Sequence, residues 1–154
     1  MRGMRLLLLG LVLVALAGCG GSKPPPPTIV ELTIKATASI NPDDGNRPSP
    51  VILRVYQLAS TGGFEKADFF ALYDKDAATL GADMAGRDQV ALAPGDSKTM
   101  TIELKPTATA IGILAAFRSI DQAQWRVDAP AAANKTTKLV LTVDGVALKL
   151  APGS

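Results

Sequence analysis

The stretch TIVELTIKATASI at residues 28–40 decides the fold, because from Val30 onward it alternates between apolar and polar side chains. Its apolar positions are Val30, Leu32, Ile34, Ala36, Ala38 and Ile40, and the residues between them are polar. Successive side chains of a β-strand point to opposite faces, so the alternation predicts a long strand with one face in the core and the other in water.

Further segments downstream also have strand character. The sequence VILRVYQL at residues 51–58 is β-branched and apolar enough to lie in the centre of a sheet. Six more predicted strands lie at 89–92, 98–104, 110–118, 125–129, 136–143 and 146–150. Turn sequences join two pairs of them at 93–96 and 143–146, the second with the Asp-Gly of a tight hairpin. Eight short strands predict an all-β fold, a β-sandwich over residues 28–150 followed by a tail at 151–154.

The two-residue period breaks between Phe64 and about Gly81. Asp68 is suited to cap a helix and Gly81 to end one, which predicts one or two short helices inserted at about residues 64–81. We interpret the aromatic and apolar side chains of this insertion as a face that packs on the sandwich, rather than as a docking surface. They are Phe69, Phe70, Leu72 and Tyr73.

Residues 1–18 have the pattern of an export signal. Arg2 and Arg5 precede an apolar run from Leu6 to Leu16, which is too short to span a bilayer, so a signal peptide is predicted and not a membrane helix. The sequence Leu16-Ala17-Gly18-Cys19 resembles the lipobox of bacterial lipoproteins. That resemblance implies cleavage after Gly18 and a covalent lipid on Cys19. The alternative is an ordinary secretory signal in which the cysteine falls in register by chance.

The lipobox resemblance also implies a location and a tether. In enterobacterial lipoproteins an Asp directly after the lipidated cysteine marks retention in the inner membrane. This chain has Gly20 at that position, which implies sorting to the outer membrane on its periplasmic face. Residues 19–27 then form the lipidated cysteine and a Gly- and Pro-rich tether, flexible at first and stiff from Pro24 to Pro27. At about 3 Å per residue the segment 20–27 would reach roughly 20 to 25 Å, enough to hold a domain off the membrane surface.

Composition excludes several classes of function. Removal of the signal leaves 136 of the 154 residues, one domain by size, in which 14 basic residues balance 14 acidic ones, so nothing favours nucleic-acid binding. The chain has no histidine and its single cysteine is committed to lipid, which excludes Ser-His or Cys-His triads and the usual zinc sites. We therefore predict that the protein is not an enzyme, has no cofactor beyond the lipid, binds no metal and takes no small-molecule substrate.

The sequence NPDDGNRPSP at residues 41–50 predicts a long, stiff, exposed loop between the first two strands. It is rich in turn formers and its three prolines forbid a continuous ladder. Asp43, Asp44 and Asn46 are interpreted as turn residues, because a calcium loop would need alternating oxygen ligands and a Glu at its twelfth position. From the residues alone, the loop is either a binding element or a plain connection that touches nothing.

Several ordered segments together resemble TssJ, the family of outer-membrane lipoproteins of the bacterial type VI secretion system. They are 41–58, Phe64 with 67–73, 92–95, 111–118 and 123–126, and the similarity extends over residues 28–150 behind the lipobox. The resemblance implies a transthyretin-like β-sandwich with a helical addition. It also implies that the protein binds the periplasmic C-terminal domain of the inner-membrane protein TssM and so anchors the trans-envelope complex to the outer membrane.

In that family the loop between the first two strands contacts the partner. The matching residues here are Asn41, Pro42, Asp43, Asp44, Gly45, Asn46, Arg47 and Pro48. The composition of the loop suits that role, since prolines lower the entropy cost of ordering it and its charged side chains can orient a partner.

Two other functions remain as alternatives. One is a periplasmic ligand- or glycan-binding lipoprotein with a cleft near Trp125, although Trp125 itself is expected to be buried between the sheets. The other is a pilotin-like chaperone, which would need an exposed apolar stripe that the sequence does not provide. Arg118 is expected to form a local pair with a carboxylate at the sandwich edge, near Asp121.

Overall fold

Eight strands form two four-stranded sheets in the computed structural model, which describes residues 23–154. The strands are β1 (Ile29–Ala36), β2 (Val51–Leu58), β3 (Met84–Leu92), β4 (Ser97–Glu103), β5 (Ala110–Ala115), β6 (Arg126–Pro130), β7 (Thr136–Asp144) and β8 (Ala147–Pro152). The first sheet has the order β4-β1-β7-β8 and the second β3-β2-β5-β6. The predicted two-sheet, all-β fold is confirmed. The predicted signal peptide and Cys19 lie outside the described residues.

β1 is the strand around which the first sheet is built. It pairs antiparallel with β4 on one side and parallel with β7 on the other. The side chains of Val30, Leu32 and Ile34 are fully buried against the second sheet, as the alternation predicts. The strand ends at Ala36 instead of continuing to Ile40, because the chain turns at 38–39, yet Ile40 is still buried.

The second sheet is covered on both faces, which explains why β2 and β5 are the most apolar strands. One hydrophobic cluster fills the space between the sheets, and a second lies between this sheet and the helices. Every residue of β5 is buried, and β2 lies between β3 and β5 as a central strand. Gly112 of β5 marks the closest approach, since a Cβ there would lie 2.8 Å from Leu58 Cδ1 and 2.9 Å from Phe64 Cε1.

The predicted helical insertion is present as α1 (Gly62–Lys66) and α2 (Phe69–Leu80). Asp68 caps α2 as predicted, with its carboxylate accepting from the Ala71 amide at 2.8 Å. Gly81 ends α2 with a φ of +52°, a region that suits glycine. The backbone at Lys75 is non-helical, so α2 is kinked in its middle. No helix within residues 23–154 is long and apolar enough to cross a bilayer.

Some predicted boundaries were wrong. β3 begins at Met84 rather than at 89, because it is an edge strand that follows β2 past an irregularity at Gln57/Leu58 and shows no alternation. β5 ends at Ala115 rather than at 118, where the Phe117 amide donates back to the Ala115 carbonyl and the chain bends. β8 continues to Pro152, so the first two of the four residues of the predicted tail belong to the sheet.

The strand directions place the connections at two opposite ends of the sandwich. The tether end contains residues 23–28, 104–109 and 131–135, and it is joined by a 2.9 Å hydrogen bond from the Leu104 amide to the Thr28 carbonyl. The loop end contains residues 37–50, 93–96, 116–125 and 144–146. β1 runs from the tether end to the loop end.

Candidate partner-binding site

The loop of residues 41–50 is fixed at its base by Asn41. Its side-chain amide donates to the Pro50 carbonyl and its Oδ1 accepts from the Arg118 amide, both at 2.8 Å. Its own backbone amide donates to the Gly145 carbonyl at 2.7 Å. Asn41 is 3% exposed and adopts a positive φ, so its side chain supports the loop and is not available to a partner.

The tip of the loop is organised by the Asp43 carboxylate. Its Oδ1 accepts from the amides of Gly45 and Arg47, and its Oδ2 accepts from Arg47 Nε at 2.8 Å. The Asp43 amide donates to the Arg47 carbonyl at 3.0 Å, and the Asn46 amide donates to the Asp43 carbonyl at 2.8 Å. These hydrogen bonds close the tip into a small ring, in which Asn46 takes the positive φ that its residue type tolerates.

Electrostatics favour the ionised form of Asp43. Hydrogen bonds from the Arg47 amide and then from its guanidinium hold the pKa of the Asp43 carboxyl below its usual value, and the charge of Arg118 adds to the effect. The loop is therefore closed by a charged group at neutral pH. Arg118 acts through this field and through its amide. The local ion pair with a carboxylate that the sequence predicts for Arg118 is not among the ion pairs of residues 23–154.

The predicted site residues divide into a base and a tip. Pro42 and Asp43 are half-buried beside Asn41, and the five residues that follow are exposed: Asp44, Gly45, Asn46, Arg47 and Pro48. The Arg47 side chain is 84% exposed although it is paired with Asp43. The loop is thus exposed, as the sequence predicts, and among the predicted site residues the exposed ones are those of the tip.

Neighbouring turns hold the segment that leads from β1 into the loop. The Asp96 carboxylate accepts from the Ala93 amide at 2.9 Å, and the Gly95 amide donates to the Thr37 carbonyl at 3.1 Å. The Thr37 hydroxyl donates to Asp144 at 2.9 Å. The loop end is thus one hydrogen-bonded surface made of several chain segments.

Trp125, the residue of the ligand-binding alternative, lies just before β6 at the junction of the sheet and the helices. It is half-buried and contacts both hydrophobic clusters, so the prediction of burial between the sheets was wrong. The guanidinium of Arg126 covers its ring at 4.7 Å, and Phe69 packs edge-on against it at 5.4 Å. One face of the indole is therefore already occupied, which does not suit a stacking platform for a sugar.

A buried polar cluster that the sequence did not reveal attaches α2 to the sheet. Asp76 is 7% exposed and accepts from Arg87, from the Tyr56 hydroxyl and from the Ala77 amide, with Arg54 at 3.6 Å. Burial alone would raise the pKa of Asp76, but the hydrogen bond from Arg87 and the two positive charges hold it below the usual value.

The same cluster also binds backbone carbonyls of α2 just before the kink at Lys75. Arg54 donates to the Tyr73 carbonyl at 2.5 Å and its guanidinium lies 4.3 Å from the centre of the Tyr73 ring. One signal for this cluster was present in the sequence, since Arg54 is a single charge inside the apolar strand β2 and a buried charge requires a partner.

The family of the chain follows from its sequence. A family model named T6SS-SciN and described as "Type VI secretion lipoprotein, VasD, EvfM, TssJ, VC_A0113" matches residues 28–146, which include every strand except β8. The chain belongs to the TssJ family of type VI secretion lipoproteins. The resemblance of the ordered segments to TssJ is thereby confirmed. A comparison with curated protein sequences found no match.

Solved structures of TssJ-type lipoproteins share the fold. The T6SS lipoprotein TssJ1 from Pseudomonas aeruginosa is 31% identical with a TM-score of 0.81, over 84% of this chain and 98% of that one. Serratia marcescens Lip, described as a membrane bound component of the Type VI Secretion System, is 25% identical with a TM-score of 0.76, over 83% and 99%.

A third similarity is to a chain of the structure described as the T6SS protein TssM C-terminal domain from EAEC, with 27% identity and a TM-score of 0.69. The alignment covers 82% of the present chain and 99% of the other.

Proposed function

We propose that this TssJ-family lipoprotein anchors the trans-envelope complex of a type VI secretion system to the outer membrane. In this proposal the lipid on Cys19 holds the protein on the periplasmic face, and the loop of residues 41–50 binds the periplasmic C-terminal domain of TssM. The similarity to a chain of the structure described as that domain supports the choice of partner.

The observation that carries the proposal is the position of the loop relative to the tether. The chain enters β1 at Ile29 directly after the tether and leaves it at Ala36 shortly before the loop. Eight residues of strand at about 3.3 Å each separate the two ends by roughly 26 Å. A domain held by its tether thus presents the loop away from the membrane, toward a partner that crosses the periplasm.

The internal order of the loop also supports a binding role. Because Asp43 and Asn41 already fix the backbone, little conformational entropy would be lost when a partner orders the tip. The exposed residues at the tip carry both charges, with Asp44 and Arg47 side chains on the surface. Such a preorganised, charged protrusion orients a protein partner without a large apolar patch.

The test is titration calorimetry of residues 20–154 against the TssM C-terminal domain from the same source. An Asp43→Ala variant removes the acceptor that closes the tip. We expect the affinity for the TssM domain to fall by about tenfold or more, which is the size of effect that loss of one interface hot spot produces. Asp43→Asn keeps an acceptor for the Gly45 and Arg47 amides and should lose less.

Two controls make the result specific. A variant that lacks residues 43–47 should abolish binding, and Lys135→Ala at the tether end should leave it unchanged, since Lys135 is exposed on the opposite side. Equal affinity of the wild type and the variant lacking 43–47 would contradict the proposed role of the loop.

A further inference from the structure

One large apolar side chain stands out on the surface of residues 23–154. Phe70, at the start of α2, is 62% exposed and is the one large hydrophobic residue with that degree of exposure among them. The prediction that it packs on the sandwich was wrong, whereas Phe69, Leu72 and Tyr73 do pack there. A single exposed apolar side chain is common on protein surfaces, so the surroundings of Phe70 decide whether it marks a contact.

The Phe70 ring is held in place although it is exposed. It packs edge-on against Phe69 at 5.3 Å, and Phe69 in turn stacks on Tyr73 at 5.3 Å and contacts Trp125. Arg126 donates to the carbonyls of Phe64 and Ala67 at 3.0 and 2.5 Å, which fixes the corner between α1 and α2. The projecting ring is therefore preorganised, and its immobilisation by a partner would cost little entropy.

Next to Phe70 lies an open cleft of about 480 Å³. Apolar and charged side chains line it together. The apolar ones include Phe69, Ile120, Ala123 and Trp125, and the charged ones, of both signs, are Lys66, Asp68, Asp121 and Arg126. Contacts between proteins combine apolar and polar side chains in this way.

The cleft belongs to the same end of the molecule as the loop of residues 41–50. The segment that lines it, with a 3-10 helix at Ile120–Gln122, follows Arg118, whose amide donates to the Asn41 side chain at the base of the loop. The loop and the cleft are thus connected by a short hydrogen-bonded segment. Both lie at the end that points away from the tether.

We propose that Phe70 and the adjoining cleft are a second contact for the TssM C-terminal domain, an inference that rests on the proposed function. In this arrangement the loop tip and Phe70 engage one partner at two places. The Phe70 ring enters an apolar pocket of that domain, and apolar side chains of the domain fill the cleft. A glycan is disfavoured as the occupant, because the Arg126 guanidinium already covers one face of the Trp125 ring.

The experiment measures binding of the TssM C-terminal domain to residues 20–154 by calorimetry, with Phe70→Ala, Phe70→Leu and a control at the tether end, Lys105→Ala. Phe70→Ala should weaken binding by tenfold or more, Phe70→Leu by less, and Lys105→Ala by less than twofold. Because Phe70 is exposed, the melting temperatures of all three variants should stay within about 2 °C of the wild type.

The possible outcomes are distinguishable. If the wild type binds and Phe70→Ala binds equally well, the second contact is wrong while the role of the loop stands. If the wild type does not bind, the proposed function and this inference both fail. Chemical-shift changes at Phe70 and Trp125 with soluble peptidoglycan fragments, but not with the TssM domain, would assign the cleft to a glycan and overturn the inference.

Discussion

Replacement of Asp76 by Ala tests whether the buried polar cluster holds the helical insertion on the sheet. The carboxylate receives hydrogen bonds from Tyr56, Arg87 and the Ala77 amide and lies 3.6 Å from Arg54. The substitution removes all of these contacts at once. It leaves the Arg54 side chain, which is only 13% exposed, with the Tyr73 carbonyl as its hydrogen-bonded acceptor inside the cluster.

The expected loss of stability follows from the burial of the partners. Breaking a buried ion pair by removal of one member costs about 3–5 kcal/mol, because the other charge is left without a counter-ion. Arg87 is 42% exposed and can return to water, and Arg54 keeps the Tyr73 carbonyl and Gln89 Oε1 as acceptors, so we expect about 2–4 kcal/mol in this case. For a domain of this size that corresponds to a fall in melting temperature of roughly 6–20 °C.

The assay is urea and thermal unfolding of residues 20–154, with Asp74→Ala as the matched control. Asp74 is on the same helix but exposed, so its replacement should change the free energy of unfolding by less than about 0.5 kcal/mol. Because Asp76 has a lowered pKa in the folded state, its contribution is present above the unfolded pKa near 3.8 and is lost as the pH falls through the folded value. The wild type and Asp76→Ala should therefore converge in stability at low pH. If Asp76→Ala costs no more than Asp74→Ala at pH 7, the cluster does not hold the insertion.

Three further predictions concern the core, the loop and the anchor. Gly112→Ala should destabilise the domain by about 1–3 kcal/mol in urea unfolding, because the added methyl would overlap Leu58 and Phe64, and an unchanged midpoint would refute this packing. The amides of the loop tip should lose protection from hydrogen exchange, measured by NMR, as the pH falls through the lowered pKa of Asp43. A tip that stays ordered in the acid range would contradict this prediction, and so would an Asp43→Asn variant with the same pH dependence. Cys19→Ala should abolish palmitate labelling and release the protein from the membrane fraction with no change in melting temperature, and a variant that stayed membrane-bound would exclude the lipid anchor.

Local sequence patterns predicted the framework of the fold because the forces that set it are local or periodic. The alternation around Leu32 gave β1 and its buried face, the apolar run at 51–58 gave β2 with its boundaries, and Asp68 and Gly81 gave the limits of α2. The loop of residues 41–50 was predictable as a protrusion, because prolines and turn formers exclude it from a sheet.

Features that depend on contacts between distant segments were not predictable in the same way. Phe70 and Phe69 are adjacent aromatic residues at the start of one helix, and only the docking of α2 decides that the first is exposed while the second is packed. In the sequence Asn41 resembles any other turn residue. Its buried side chain accepts a hydrogen bond from the backbone amide of Arg118, which is 77 positions away. Likewise, the pairing of Arg54 with Asp76 requires α2 to lie across β2.

Reconstitution on vesicles tests together the proposed lipid anchor at one end of the domain and the proposed partner contact at the other. The lipidated protein, inserted into phospholipid vesicles, would be mixed with the TssM C-terminal domain and floated on a density gradient. We predict that the TssM domain floats with vesicles that carry the wild-type protein, and stays at the bottom with the Cys19→Ala variant or with a lipidated variant that lacks residues 43–47. Flotation of the TssM domain with the loop-deleted protein at the wild-type level would contradict the proposed binding of TssM through the loop.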